Sequence, residues 1–253
     1  MRSLVSRRRR AAGLAAVAAL LVVTTVACGS GSGGDAGGGG TGDDTATGGV
    51  PAAPTATGAP ATGRIQQVNE TMRKTPFSGI GTTTAFEDAG LTTIVWNPDQ
   101  GLHISYDGPS GGDMYCKDGV TYMSAGLLAQ SLKSQGTEIT VPDRLAHTYV
   151  TTQSGQGCDA YFALPAAGTF APDKDTTVMG VRARAIVAGN GTTSDTYLVS
   201  AQGPARLLKM KSDRGGRTSS TTYDDFGKKE SVTLPSPDRT MTMDAFRAEV
   251  DAG

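Results

Sequence analysis

The alternation of apolar and polar residues predicts a helix followed by a long series of strands. Ile65, Val68 and Met72 recur at the spacing of one helical face, which predicts a helix over Arg64–Thr75. Pro76 ends this pattern, because proline lacks the N–H group that a continuing helix needs. The chain beyond it alternates with the period of two that is typical of β-strands.

A hairpin gives the clearest strand signal. Two alternating runs within Met114–Met123 flank Asp118-Gly119, a pair that favours a tight β-turn. Further helices are predicted over Ala125–Gln135 and Met243–Val250. The other runs predicted to form strands are Thr82–Phe86, Leu91–Trp96, Leu102–Tyr106, Tyr149–Gln153, Thr177–Ala188, Ser194–Ala201, Ala205–Ser212, Arg217–Asp224 and Ser231–Leu234. These elements predict an α+β domain with about ten antiparallel strands and two or three helices.

The N-terminus has the parts of a secretion signal. Arg2–Arg10 is basic, and the apolar run Ala11–Val23 is shorter than the roughly 18 residues of a membrane-spanning helix. Ala27-Cys28 resembles the end of the bacterial lipobox, whose cysteine is diacylated with chains such as palmitate and becomes the mature N-terminus. We therefore expect residues 1–27 to be a lipoprotein signal peptide and Cys28 to carry a diacylglycerol anchor. An ordinary secretion signal with an unmodified cysteine is the alternative.

The segment after Cys28 predicts a tether. Residues 29–63 are almost entirely Gly, Ser, Thr, Ala, Pro and Asp, and Val50 is their only sizeable apolar side chain. Such a segment cannot bury enough surface to become ordered. We thus expect a lipidated cysteine and disordered linker over residues 28–63 and a folded domain over residues 64–253. The predicted location is the extracytoplasmic face of the cell membrane.

Removal of the signal changes the charge of the chain. The full chain has 23 basic and 24 acidic residues, and five of the basic residues, all arginines, lie in the signal, which has no acidic residue. The mature chain therefore carries 18 basic and 24 acidic residues, a net charge of −6. Such a surface argues against nucleic acid as a partner, because nucleic-acid binding needs clustered lysine and arginine.

The remaining cysteines predict a disulfide. The chain has three cysteines. If the lipid consumes Cys28, then Cys116 and Cys158 are left as a pair in an oxidising compartment. Their spacing fits neither a metal site nor a redox motif, so we expect them to be bonded to each other.

No grouping in the sequence indicates catalysis. The two histidines, His103 and His147, lie in no metal-binding spacing, and no nucleophile or phosphate-loop motif is present. We therefore predict a protein that is not an enzyme, with no catalytic residue, no metal and no cofactor.

The C-terminal half carries several motifs in the order found in one family. Val178–Ala183 resembles its V-x-G strand, and Gly203–Leu208 resembles its G-x-P-x-R-L turn. Thr222–Gly227 followed by Val232–Pro235 resembles its closing Y-x-D-F-G…V-x-x-P. On these motifs, most of residues 64–237 resembles the LolA/LprG/LppX-like half-barrel lipoproteins of actinobacteria.

The resemblance implies a curved antiparallel sheet with helices across its concave face. Family members hold acyl chains of lipids or lipoproteins in the space between the two. The resemblance makes Leu127, Leu128 and Leu132 candidates for a lid helix over such a space, and ordinary core packing is the alternative for every candidate. The candidates for its walls are Ile94, Trp96, Ile104, Val181, Ile186 and Leu198.

Two functions remain open at this point. The first is a carrier or receptor that binds a lipid or other amphiphile in an apolar cavity. The second is a surface interaction or sensor domain with a filled core that binds a protein. A continuous apolar void between sheet and helices would favour the first, and an interior filled by side chains would favour the second.

Overall fold

We describe the fold from a computed structural model of the chain. It describes residues 58–84, 90–108, 111–190 and 193–251. The predicted signal peptide, the lipidation site Cys28 and most of the predicted linker lie outside the described residues.

The three predicted helices are confirmed, each with its ends within two residues of the predicted ones. The first forms because Ile65, Val68 and Met72 line one face, and all three are buried. It ends ahead of Pro76, as predicted. The helices are α1 (Thr62–Lys74), α2 (Ala125–Lys133) and α3 (Met243–Asp251).

The strands form one sheet of 13 strands among the described residues. They are β1 (Phe77–Thr83), β2 (Gly90–Asn97), β3 (Gly101–Asp107), β4 (Gly112–Lys117), β5 (Val120–Ser124), β6 (Tyr149–Gln153), β7 (Thr169–Phe170), β8 (Thr176–Val178), β9 (Val181–Asn190), β10 (Thr193–Ser200), β11 (Leu207–Arg214), β12 (Arg217–Asp224) and β13 (Thr240–Thr242). Their order is β13-β6-β5-β4-β3-β2-β1-β12-β11-β10-β9-β7, and β8 pairs with β9 off this path. Every pairing is antiparallel except that of β13 with β6.

The sheet is curved and does not close into a barrel. β13 and β7 stand at the two ends of the strand order and do not pair with each other. The buried face of α1 belongs to one apolar cluster that includes Trp96 of β2 and Ile186 of β9, five positions apart in the order. One helix can pack with strands so far apart because the sheet curls around it. The predicted α+β half-barrel is therefore confirmed, with α1 across its concave face.

The predicted disulfide is present and fastens a loop to the concave face. Cys116 of β4 is bonded to Cys158, and the two are 42 residues apart in the chain. The bond holds the segment 154–168 over the open side of the sheet, where Phe162 and Leu164 are buried in the main apolar cluster. Asn69 of α1 fixes the same segment, because its side chain donates to the Leu164 carbonyl and accepts from the Leu164 N–H, both at 2.8 Å.

The strand at the middle of the sheet begins earlier than predicted. The sequence pattern starts at Thr82, whereas β1 starts at Phe77. Gly79 and Gly81 occupy the concave-facing positions of β1. Because glycine has no side chain, these positions show no apolar residue, and the alternation by which a strand is predicted is absent here. A Cβ atom on Gly79 would lie 2.7 Å from the Ile94 side chain and 2.9 Å from the Thr222 carbonyl oxygen, so the neighbouring strands leave no room for one.

Two predicted strands differ in the structure. The run Thr177–Ala188 is broken into β8 and β9 by a turn at Met179-Gly180, where both residues have positive φ, +46° and +80°. The predicted strand Ser231–Leu234 is wrong: it pairs with no strand, and the Val232 N–H donates instead to the Gln100 side chain at 2.8 Å. The edge of the sheet is formed by β13, which the sequence pattern misses because three residues are too few to show a period.

Loss of the disulfide should destabilise the domain without changing its fold. In the chain-entropy description, a bond that closes a loop of 42 residues contributes about 4 kcal/mol. We expect Cys116→Ser/Cys158→Ser to lower the free energy of unfolding by that order in urea titrations. Reduced wild-type protein should unfold at the same urea concentration as the double variant. An unchanged midpoint would show that the apolar packing of the loop suffices without the bond.

Candidate functional site

The concave face brings together five of the nine predicted cavity residues. All five belong to the main apolar cluster beneath α1, and each is at most 9% exposed. The strands place them there because alternate residues of β2, β3 and β9 point to the same side of the sheet. These residues are Ile94, Trp96, Ile104, Leu127 and Ile186.

Aromatic side chains fill the middle of this face. The Phe77 and Phe162 rings meet edge to face with centroids 5.0 Å apart, and Trp96 lies 5.2 Å from Phe162. Tyr223 packs on the other side of Phe77 at 5.5 Å. The Trp96 indole N–H donates to the Arg73 carbonyl at 3.2 Å, so the ring is fixed to the end of α1. The space between α1 and the sheet is thus occupied by interdigitating side chains.

The two other predicted lid residues belong to a separate apolar cluster. Leu128 and Leu132 lie between α2, α3 and the edge strands β6 and β13, in what we call the helical lobe. Leu127, one residue earlier, points into the main cluster instead. The buried members of the lobe are Ala125, Leu128, Leu145, Val150 and Phe246, and its half-buried members are Met123, Leu132, Ile139, Val141, Met241, Met243 and Val250.

Two predicted wall residues lie outside the concave face, which corrects their placement. Leu198 alternates with Tyr197 and Val199 and therefore points to the convex side, where it packs with Ala183, Ala185 and Leu208. The sequence could not reveal this, because the segment 171–178 covers the convex side there and makes both faces apolar. Val181 follows the turn after β8 and is 44% exposed.

Two surface depressions of about 300 Å³ each occur on the described surface, and both are open to solvent. The first lies on the sheet among serine and threonine residues such as Thr82, Thr196 and Ser220. The second lies between the turns that follow β8 and β10 and is lined by Met179, Arg206 and others. No residue of α1, α2 or α3 lines either of them, so neither is the space between helices and sheet.

A buried polar group, which sequence reasoning missed, lies on the concave side of β10 and β11. The Asp195 carboxylate accepts hydrogen bonds from Ser212 at 2.5 Å, from Arg214 at 3.0 Å and from the Tyr197 hydroxyl at 3.3 Å. The Ser212 hydroxyl gives its proton to the carboxylate and also accepts from Arg214 at 3.1 Å. This arrangement pairs the carboxylate with the Arg214 guanidinium. It is a structural ion pair, and its only sequence signal is a polar residue on the apolar side of an alternating strand.

The histidines are far from this group. His103 lies on the convex face, where its Nε2 is 2.7 Å from the Asp113 carboxylate and its ring stacks on Tyr115 at 4.3 Å. His147 precedes β6 and is exposed. Within the described residues, no group of three or more His, Cys, Asp or Glu side chains could hold a metal ion. None of the helices in that part of the chain is long and apolar enough to span a bilayer.

Comparison with known proteins returns solved structures only. No family model matches the chain, and no curated protein matches it. LprF from Mycobacterium bovis is 13% identical, with a TM-score of 0.39 over 71% of this chain and 99% of LprF. Mycobacterium tuberculosis lipoprotein LppX is 11% identical, with a TM-score of 0.39 over 68% of this chain and 97% of LppX. The Pseudomonas aeruginosa MucA/MucB complex matches at 14% identity and a TM-score of 0.37, over 70% and 59% of the two chains.

These matches include proteins of the group that the sequence motifs resemble. The curved, unclosed sheet of this chain, with helices on its concave side, is the half-barrel that the resemblance predicts.

The buried tyrosines of the concave face should make the domain sensitive to alkali. Burial, with a smaller effect of Tyr161, raises the pKa of Tyr106 from 10.0 to about 12. The folded state therefore favours the neutral phenol, and this stability is complete below pH 10 and is lost as the pH rises toward 12. We expect the free energy of unfolding to fall in that range, with Tyr106 accounting for on the order of 2 kcal/mol.

Urea titrations between pH 9 and pH 12 would measure this loss. Tyr106→Phe should reduce the loss, while Tyr122→Phe on the convex face serves as the matched control. Equal slopes for the wild type and Tyr106→Phe would contradict the assignment.

Proposed function

We propose that this protein is a non-catalytic binding protein, tethered to the outer face of the cell membrane by a lipid on Cys28, and that it binds an amphiphile beneath its helical lobe. The observation that carries the proposal is the division of the concave face into two apolar clusters of different packing. The main cluster beneath α1 is fastened by the disulfide and by Asn69. The lobe has no covalent link among its described residues.

The packing of the lobe supports apolar ligand entry there. Seven of its twelve apolar side chains are only half-buried, and three of the seven are methionines. In the main cluster the half-buried side chains are seven out of 28. A half-buried apolar side chain gains free energy when more apolar surface covers it, at about 25 cal/mol per Å². Methionine side chains adapt to ligands of different shape, because they are unbranched and flexible.

The side-chain links that hold α2 and α3 at the surface of the lobe are exposed. Arg144 pairs with Glu249 of α3 at 2.7 Å, and both side chains are about half exposed. Arg217 of β12 donates to the Ser134 carbonyl at the end of α2 at 3.0 Å. Exposed links of this kind contribute up to about 1 kcal/mol each. Displacement of α2 from the sheet would therefore cost mainly apolar contacts, which an acyl chain in the same place would restore.

A protein partner is the second candidate, and the filled interior favours it. Phe77, Phe162 and Trp96 occupy the space in which an acyl chain would lie beneath α1. A domain with such an interior presents only its outer surface to a partner. The matched MucA/MucB structure is itself a complex of two proteins.

Native mass spectrometry decides between the two candidates. The mature chain, residues 28–253 with Cys28→Ser, would be incubated with a lipid extract and its mass measured. We expect lipid adducts on the wild-type domain and none on Leu132→Glu, because the carboxylate would lie inside the half-buried lobe. Ile80→Glu is the matched control, because Ile80 is 66% exposed on the convex face.

Thermal unfolding of both variants would confirm that each is folded. A bare mass for the wild type, under conditions in which a known lipid carrier keeps its cargo, would exclude the amphiphile and leave the protein partner. Adducts that survive equally in Leu132→Glu and Ile80→Glu would place the lipid elsewhere than in the lobe.

The anchor can be tested by itself. The full-length chain with its own signal should fractionate with membranes and carry a diacylglycerol mass at its N-terminus. Cys28→Ser removes the acylated thiol, and we expect this variant to lose the lipid mass. Wild-type protein found without the added mass would show that the ordinary secretion signal is the correct alternative.

A further inference from the structure

The turn after β8 exposes two large apolar side chains next to each other. Met179 is 67% exposed and Val181 is 44% exposed. The positive φ of Met179 and Gly180 makes the turn tight, so the chain reverses directly between β8 and β9. Single exposed apolar residues are common. This pair is notable because of the charges that surround it.

Four arginines lie around this turn without an acidic partner. Arg182 follows Val181 and is exposed, and Arg206 lines the same depression as Met179 and Val181. The Arg184 guanidinium lies 3.9 Å from the centre of the Phe170 ring, and that of Arg206 lies 4.7 Å from the Phe226 ring. Arg64 donates to the Ser200 backbone carbonyl oxygen.

These four arginines share the lack of a carboxylate partner with Arg217 and Arg239, which donate to backbone carbonyls instead. Among the described residues, Arg73, Arg144, Arg214 and Arg247 each pair with a carboxylate, whereas Arg64, Arg182, Arg184 and Arg206 do not.

Two carboxylates lie near the four arginines. Asp175 accepts a hydrogen bond from the Ala185 N–H at 2.8 Å, and Asp224 lines the same depression as Arg206. The pKa of Arg64 is lowered by burial and, to a smaller extent, by the charge of Arg184, so these two cations lie close enough to repel each other. The corner is thus locally cationic on a mature chain whose net charge is −6.

The first described residues, 58–60, run toward the same end of the sheet. The Gly58 N–H donates to the Phe170 carbonyl at 3.0 Å, and the Phe170 N–H donates to the Ala59 carbonyl at 2.9 Å. Pro60 bridges antiparallel to Thr169. Followed from Pro60 back to Gly58, the chain therefore runs in the direction of residues 169 to 178, toward the turn after β8. Between Cys28 and Gly58 lie 29 residues of the predicted linker, and a Gly-rich coil of that length would span roughly 30 Å.

We propose that the end of the sheet at the turn between β8 and β9 docks onto the anionic headgroups of the bilayer that carries the tether. This end, here called the turn surface, carries Met179, Val181, Arg182, Arg184 and Arg206 on its two faces. This inference rests on the membrane location in the proposed function but not on the amphiphile. The arginines meet lipid phosphates, and Met179 and Val181 enter the headgroup layer. The excess of acidic residues elsewhere repels an anionic surface, so the domain turns this corner toward the membrane.

The turn surface by itself would bind a membrane only weakly, which fits the need for a covalent tether. Each basic residue near an anionic membrane contributes about 1 kcal/mol, which is about a fivefold change in the binding constant. A few arginines and two apolar side chains bind reversibly, and a covalent anchor raises the local concentration of the membrane to which they bind. The tether holds the domain near the bilayer, and the turn surface sets its orientation.

Co-sedimentation with vesicles tests the turn surface without the anchor. The mature chain with Cys28→Ser would be mixed with vesicles of phosphatidylcholine alone or with added phosphatidylglycerol. We expect binding only to the anionic vesicles, with loss at high salt. Arg182→Gln/Arg184→Gln should lower the binding constant about 25-fold, at about fivefold per arginine. Met179→Ser should lower it without changing the salt dependence.

The matched control is Lys209→Gln/Lys211→Gln, which removes two positive charges from the convex face of β11. We expect it to leave the binding constant nearly unchanged. Equal losses in both double variants would show that net charge alone governs binding and would overturn the proposal, as would wild-type protein that stays in solution with anionic vesicles. Unchanged binding by Met179→Ser would overturn the insertion of the turn. Because the assay uses an unlipidated chain, its failure is distinct from a failure of the Cys28 anchor.

Discussion

The packing of α1 against the concave face is the interaction on which the rest of the structure depends. Ile65, Val68 and Met72 are buried in one cluster with residues of β1 to β4 and β9 to β11, so a single helix keeps the two halves of the sheet curled toward each other. At about 1.5–3 kcal/mol for each fully buried side chain, three such residues contribute several kcal/mol to this closure. Without them, a sheet of this width would expose an entire apolar face to water.

Two further links secure the same closure from the other side. The disulfide ties the segment 154–168 to β4, and Asn69 ties it to α1 through two hydrogen bonds. The helical lobe has no comparable links, and most of its apolar side chains are only half-buried. Stability is therefore concentrated beneath α1, and the lobe is the part of the concave face that can open at the lowest cost.

The sequence predicts most of this architecture, and each feature that it fails to predict has an identifiable physical reason. Long alternating runs identify the central strands, and the helical spacing of Ile65, Val68 and Met72 identifies α1, because burial on one face imposes a period. The side on which Leu198 lies could not be predicted, since the loop that covers the convex side is distant in the chain.

The residues of the candidate site also divide into those that the sequence predicts and those that only the tertiary structure reveals. The residues beneath α1 are predicted by their period, whereas the grouping of Leu128 and Leu132 with Phe246 depends on tertiary packing alone. The buried Asp195 leaves no trace in sequence beyond one polar residue in a strand. Its partners Ser212 and Arg214 lie on the next strand, and only the register of β10 and β11 brings them together.

The short strands at the two ends of the sheet limit the backbone that the sheet edges expose to other chains. β13 is three residues long and covers β6, and β7 is two residues long and covers part of β9. An uncovered edge of β6 would present free backbone groups to other copies of the chain. Under the proposed anchor, copies of the chain would meet far more often than copies in solution, so an open edge would favour strand exchange and aggregation. The short strands at both ends leave little of the edge free for such pairing.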